Sequence, residues 1–204
     1  GVNAKIFDGV QNENGLYIIK VLKCMTNMKC SKNQLKLLDN EIYFSSNYIG
    51  KYGLDIQVLE PGCMLKQKVN GETLGELLKN GEFGKDIVQI KDDAGILHGY
   101  NQTFIIEEYV NMIADISNYG IKLSDWNPGN VMFDIPSNTW KLVDGFFTSK
   151  DNSPESSYTY NKLEILEILY TNFLWNLLPS NFNIYLPLRG AKICNSCHGI
   201  KDKN

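Results

Sequence analysis

Two aspartates and an asparagine stand out by type and spacing. In Leu123-Ser124-Asp125-Trp126-Asn127-Pro128-Gly129-Asn130 an aspartate and an asparagine lie five positions apart, and Val143-Asp144-Gly145-Phe146 follows shortly after. Upstream, Leu16-Tyr17-Ile18-Ile19-Lys20-Val21 carries a lysine on an alternating apolar run. Phosphoryl transfer needs a group to orient or deprotonate the attacking hydroxyl, oxygen ligands for magnesium, and a cation on the nucleotide phosphates. Asp125, then Asn130 with Asp144, then Lys20 supply those groups.

Each residue also has a plainer reading. Asp, Asn, Pro and Gly are common turn formers, so the loop around Asp125 could simply cap backbone amides. Lys20 could lay its stem along the sheet with its head in water, and Lys23 competes for its place if the strand register slips.

The elements that must position these residues follow from hydrophobic period. Alternation over Ala4–Ile6 and again over Leu16–Val21, around the turn-rich Gln11–Gly15, predicts a hairpin whose second strand delivers Lys20. Ser31-Lys32-Asn33-Gln34 has the spacing of a capping box, and Leu35, Leu38 and Ile42 predict a helix over 31–47 with Glu41 available to a partner. Asp39 is the other acidic candidate on that helix. Strands are predicted at Asp55–Leu59 and Cys63–Val69, with a break at Asn70-Gly71-Glu72 and a short helix over Thr73–Lys79. Ile105, Tyr109, Met112, Ile113 and Ile116 share one face of a helix from Thr103 to about Asn118, closed by Gly120. Val131–Phe133 and Trp140–Val143 read as a second hairpin, and Leu163–Leu178 as an apolar helix stopped by Pro179. Trp126, Trp140 and Trp175 read as packing residues.

Composition narrows the class. With 204 residues, 43% of them hydrophobic, the chain can bury one sizeable core or two small lobes. The net charge of -3, with its lysines dispersed, gives no general attraction to nucleic acid or anionic membrane. No run of about 18 apolar residues spans a bilayer and the first residues lack the order of a signal peptide, so the chain reads as a soluble cytosolic protein. Five unevenly spaced cysteines fit reduced thiols better than a disulfide framework. Cys194-Asn195-Ser196-Cys197-His198 matches the short form of a haem-attachment or half-zinc motif, but its other ligands are not apparent, and it reads as a surface tail.

Together these pieces resemble a protein kinase. Asp125 to Asn130 match the catalytic-loop D-x-x-x-x-N, Asp144-Gly145 the start of the metal-binding D-F-G, and Tyr17-Ile18-Ile19-Lys20 the strand motif V-A-I-K. Glu41 sits where the family places the helix glutamate that pairs with the strand lysine. The small size and the opening Gly1-Val2-Asn3-Ala4-Lys5-Ile6-Phe7 resemble bacterial type III secreted effector kinases of the OspG and NleH kind, or the HopBF kind.

The resemblance implies a two-lobed α+β fold with a truncated helical second lobe. Residues 1–69 would form the N-lobe and 70–204 a reduced C-lobe holding the catalytic loop 123–130 and the metal-binding segment 144–146. ATP and magnesium would bind between them. Gly1 would remain from the glycine loop, with Gly9 a second candidate, and the hinge within Leu65–Val69, at Gln67, Lys68 and Val69, would meet the adenine edge through its backbone. Lys20, Glu41 and Asp125 would be catalytic, and Asn130 and Asp144 would bind metal. The effector likeness further implies secretion into a host cell, a host protein phosphorylated on serine or threonine, and a partner such as ubiquitin, a ubiquitin-conjugating enzyme or a chaperone. Leu123 and Ser124 replace the family's usual histidine and arginine, which argues against control by activation-loop phosphorylation. Two other readings share the motif: a small-molecule kinase of the aminoglycoside or sugar type, and a pseudokinase used as a binding module.

Overall fold

The computed structural model describes residues 4–12, 15–22, 30–47, 50–60, 62–123, 127–144, 147–149, 153, 156–157 and 159–161. Gly1, Lys23, Asp125, Trp126, Trp175, the helix expected over 163–178 and the Cys194–His198 segment lie outside them. The described elements form a mixed α+β structure whose sheets are antiparallel.

The first is a four-stranded sheet. β1 (Ala4–Asn12), β2 (Gly15–Leu22), β3 (Ile56–Glu60) and β4 (Cys63–Gln67) lie in the order β1-β2-β4-β3, which makes β2 and β4 the central strands. β1 runs well past the expected Ile6, through a register shift between Phe7 and Val10. Gly9 sits at that irregularity, where an added Cβ would lie 1.8 Å from the Tyr17 carbonyl oxygen, so it serves strand packing. Lys20 pairs with Met64 and Ile18 with Lys66, which places Lys20 and Lys66 as diagonal neighbours on one face.

α1 (Lys32–Asn47) spans nearly the range expected of it. Its buried stripe is Leu38, Glu41 and Phe44, so a carboxylate occupies the middle of the apolar face, while Ile42 is only half buried. β4 ends at Gln67, two residues short of expectation, and the chain continues without regular structure to Thr73. This connection is stitched to a later strand, β8 (Val131–Asp134): Ile135 N–H donates to Asn70 O at 2.9 Å and Phe133 N–H to Glu72 O at 3.0 Å. Gly71 is required there, since a Cβ would fall 1.9 Å from the Phe133 oxygen. Thr73 and Glu76 then form a reciprocal capping box on α2 (Leu74–Lys79).

A hairpin of β5 (Ile87–Lys91) and β6 (Leu97–Asn101) was not apparent in the hydrophobic pattern. It leads into α3 (Gln102–Asn118), whose first turn is capped by the Asn101 side chain accepting from Thr103 N–H. All five residues expected on its inner face are buried. β7 (Lys122–Leu123) follows, then β8 paired with β9 (Thr139–Leu142), and β10 (Phe147–Ser149) returns to pair with β7. Trp140 anchors this core. It is fully buried, donates its indole N–H to Ile105 O at 2.9 Å, and meets Tyr109 and Phe133 edge-on at 5.3 and 5.5 Å.

Among the described residues no helix is long and apolar enough to cross a membrane. Cys63 is free and buried, but Cys30 is disulfide-bonded, which corrects the expectation of reduced thiols throughout. An odd cysteine count leaves one thiol unpaired without requiring the rest to be.

Candidate active site

Lys20 reaches its site because β2 is a central strand and its inward face meets α1. The Lys20 ammonium, 6% exposed, donates to both carboxylate oxygens of Glu41, 8% exposed, at 3.0 and 3.3 Å. It also forms an ion pair with Asp144, whose side chain is half exposed. Thus β2, α1 and the segment after β9 meet at one nitrogen, although Lys20 and Asp144 are 124 positions apart. Of the paired candidates, the structure takes Glu41 and leaves Asp39 exposed.

A second lysine enters from β4. Lys66, 2% exposed, forms an ion pair with Glu41 Oε1 and donates to the Val143 carbonyl oxygen at 2.5 Å. The two ammonium groups answer their surroundings differently. Burial opposes the charge on Lys20, but Glu41 and Asp144 outweigh it and hold the ammonium above the ordinary lysine value. At Lys66 burial dominates and pushes the ammonium below that value, with Glu41 pulling the other way.

Asn130 and Asp144 lie at the same end of the β8–β9 hairpin. Val131 pairs with Leu142, and Val143 N–H donates to Asn130 O at 2.9 Å, so the two backbones run side by side where the metal candidates stand. The preceding turn holds its own shape. Asn127 Oδ1 accepts from Gly129 N–H at 2.9 Å, and Asn130 N–H donates to Asn127 O at 2.8 Å. β10, paired to β7, brings residues 147–149 beside the strand that ends at Leu123. Behind β7, the Asn161 amide donates to Ile121 O at 2.8 Å and to Ser117 Oγ at 3.0 Å.

Gln67, Lys68 and Val69 lie at the end of β4, on the connection to α2. The Gln67 N–H donates to Asp55 O and the Lys68 N–H to Leu16 O, each at 2.8 Å. The Lys68 ammonium pairs with Asp93 at 2.7 Å, and Asp93 N–H donates to Asn70 Oδ1 at 2.8 Å, so the β5–β6 turn braces this segment. Val69 is buried.

Among the described residues no group of three or more histidine, cysteine or acidic side chains could hold a metal. The Asn130 and Asp144 pair is of another kind, one amide and one carboxylate oxygen donor. Such hard donors fit magnesium, which keeps several waters or phosphate oxygens among its ligands. Lys66 was not among the candidates read from sequence. It shares a face with Lys20 through the β2–β4 register, in which Lys20 pairs with Met64 and Ile18 with Lys66.

No family model matches the chain, and no curated protein matches it. Among solved structures it is similar to the bifunctional kinase-methyltransferase WbdD, at 17% identity and a TM-score of 0.46, over 89% of this chain and 45% of that one. The chain therefore spans less than half the length of that neighbour.

Proposed function

We propose that this chain is an ATP-dependent phosphotransferase of the protein-kinase kind. The observation that carries the reading is the cluster in which Lys20, Glu41 and Asp144 meet, because it unites from three distant elements the groups that such an enzyme places on a nucleotide. The strand order supports it as well. A lysine-bearing central strand, a helix that supplies its glutamate, two further strands and a connection into helices are the parts of a kinase N-lobe in their usual succession. On this reading residues 1–69 form the small lobe and 70–204 the larger one, with nucleotide between them.

In the proposed mechanism Lys20, held by Glu41, contacts the phosphates. Asn130 and Asp144 would hold magnesium, which when bound would supply positive charge to the phosphate oxygens. Asp125 orients the acceptor hydroxyl and takes its proton. Because the Gln67 and Lys68 N–H groups are already committed to backbone carbonyls, donation to an adenine edge from this segment falls to Val69.

The acceptor is proposed to be a serine or threonine hydroxyl of a protein. A secreted effector acting on a host protein, with ubiquitin, its conjugating enzyme or a chaperone as partner, rests on the likeness of the motifs alone. Labelled γ-phosphate from ATP, offered with magnesium to protein mixtures and separately to aminoglycosides and sugars, tests the acceptor class. Label in protein supports this reading; label only in the small alcohols replaces it with a small-molecule kinase.

A further inference from the structure

Four charged side chains meet in one cluster: the buried ammonium groups of Lys20 and Lys66, the buried carboxylate of Glu41 and the half-exposed carboxylate of Asp144. A glutamate paired to a lysine offsets part of the lysine's field at a third group, because the opposite charge lies only a few ångströms farther away. Here Glu41 is shared. Lys66, 2% exposed, binds Oε1, while Lys20 donates to Oε2 at 3.0 Å and to Oε1 at 3.3 Å and also meets Asp144. With Asp144 serving as a magnesium ligand, the two lysines and Glu41 would carry one net positive charge.

We propose that Lys66 is a positioning residue of the phosphate site: it neutralises Glu41, so that Glu41 can hold Lys20 in place without cancelling the charge Lys20 offers to the phosphates. This rests on the phosphotransferase reading above. Lys66 touches no phosphate itself. It acts through Glu41, and through the Val143 carbonyl it also fixes the residue before Asp144. Its place on a central strand, diagonal to Lys20, lets both ammonium groups reach one carboxylate.

The effect must fall on phosphates and spare the nucleoside. Calorimetric titration with magnesium and either ATP or adenosine therefore reads it directly, as the ratio of the two affinities. Lys66→Met, and Lys66→Gln as a second variant that keeps a donor for Val143 O, should lower that ratio about tenfold or more, since charge interactions in such a site far exceed their strength in water. Adding Glu41→Gln to Lys66→Met removes the charge that Lys66 cancels and should restore part of the ratio, which a merely structural lysine would not predict. An unchanged ratio in both single variants, or an equal loss of ATP and adenosine binding, overturns the proposal while leaving the phosphotransferase reading intact. Failure of the wild-type protein to bind either compound overturns both together.

Discussion

Lys20 and Glu41, 21 positions apart on β2 and α1, close a buried ion pair at 3.0 Å. Each is a buried charge in an element whose other buried residues are largely apolar. The pair arises because a central strand turns its inward face toward a helix whose buried stripe is interrupted by one carboxylate. Such a pair is costly to desolvate, so its value lies in fixing the two elements to each other.

Glu41 is the common partner of two buried lysines, so its loss and the loss of Lys20 are not equivalent. Glu41→Ala strips the carboxylate from both ammonium groups and should cost about 3–5 kcal/mol. Lys20→Met leaves Glu41 paired with Lys66 and should cost less than half as much. Urea denaturation of the two variants beside the wild type measures the difference; equal losses would show that Lys66 does not hold Glu41.

Asp144 and Asp125 should separate binding from turnover. Asp144→Asn removes a proposed magnesium ligand, so nucleotide affinity should become insensitive to magnesium. Asp125→Ala should bind nucleotide as the wild type does while turnover falls by about 10²–10⁴, the usual worth of a positioned general base. Calorimetry with and without magnesium, followed by single-turnover kinetics, checks both.

Tyr52 donates to Asp115 at 2.7 Å, joining the turn after α1 to α3. Burial, and then Asp115, push the Tyr52 hydroxyl well above its ordinary value. The folded state thus keeps a proton that the unfolded chain releases near pH 10, so this contribution is complete below about pH 10 and is lost as pH rises beyond it. Tyr52→Phe should cost about 1–2 kcal/mol at neutral pH. Its deficit relative to wild type should shrink between pH 9 and about pH 11 in thermal melts; a constant deficit would contradict the account.

Much of this arrangement was legible from residue patterns, and the failures have physical causes. α1, α3 and the β8–β9 hairpin were readable because Leu38 in α1, Ile105 through Ile116 in α3, and Phe133 with Trp140 face the core at the period of their element. The β5–β6 hairpin was not, since only Val88 and Ile90 in β5 are buried and β6 carries a glycine at its centre. Its turn is held by Asp92 Oδ1 accepting from Ala94 and Ile96 N–H at 2.9 and 2.8 Å, a local device that no periodicity reveals. Lys66 was missed for a different reason. A strand lysine ordinarily reaches water, and only the order β1-β2-β4-β3 encloses this one between neighbours on both sides. The Lys20–Glu41 pair, by contrast, was expected from the order of the motifs, whereas the Lys20–Asp144 contact was not, because the two are 124 positions apart and only the fold brings them together.

The most direct test of the central claim is transfer of labelled γ-phosphate from ATP with magnesium, comparing the wild type with Asp144→Ala and Lys20→Met against a protein mixture. The account predicts labelled protein with the wild type and none with either variant, while both variants retain a cooperative thermal transition. Equal labelling by all three would contradict it, because the Lys20, Glu41 and Asp144 cluster would then have no part in the reaction.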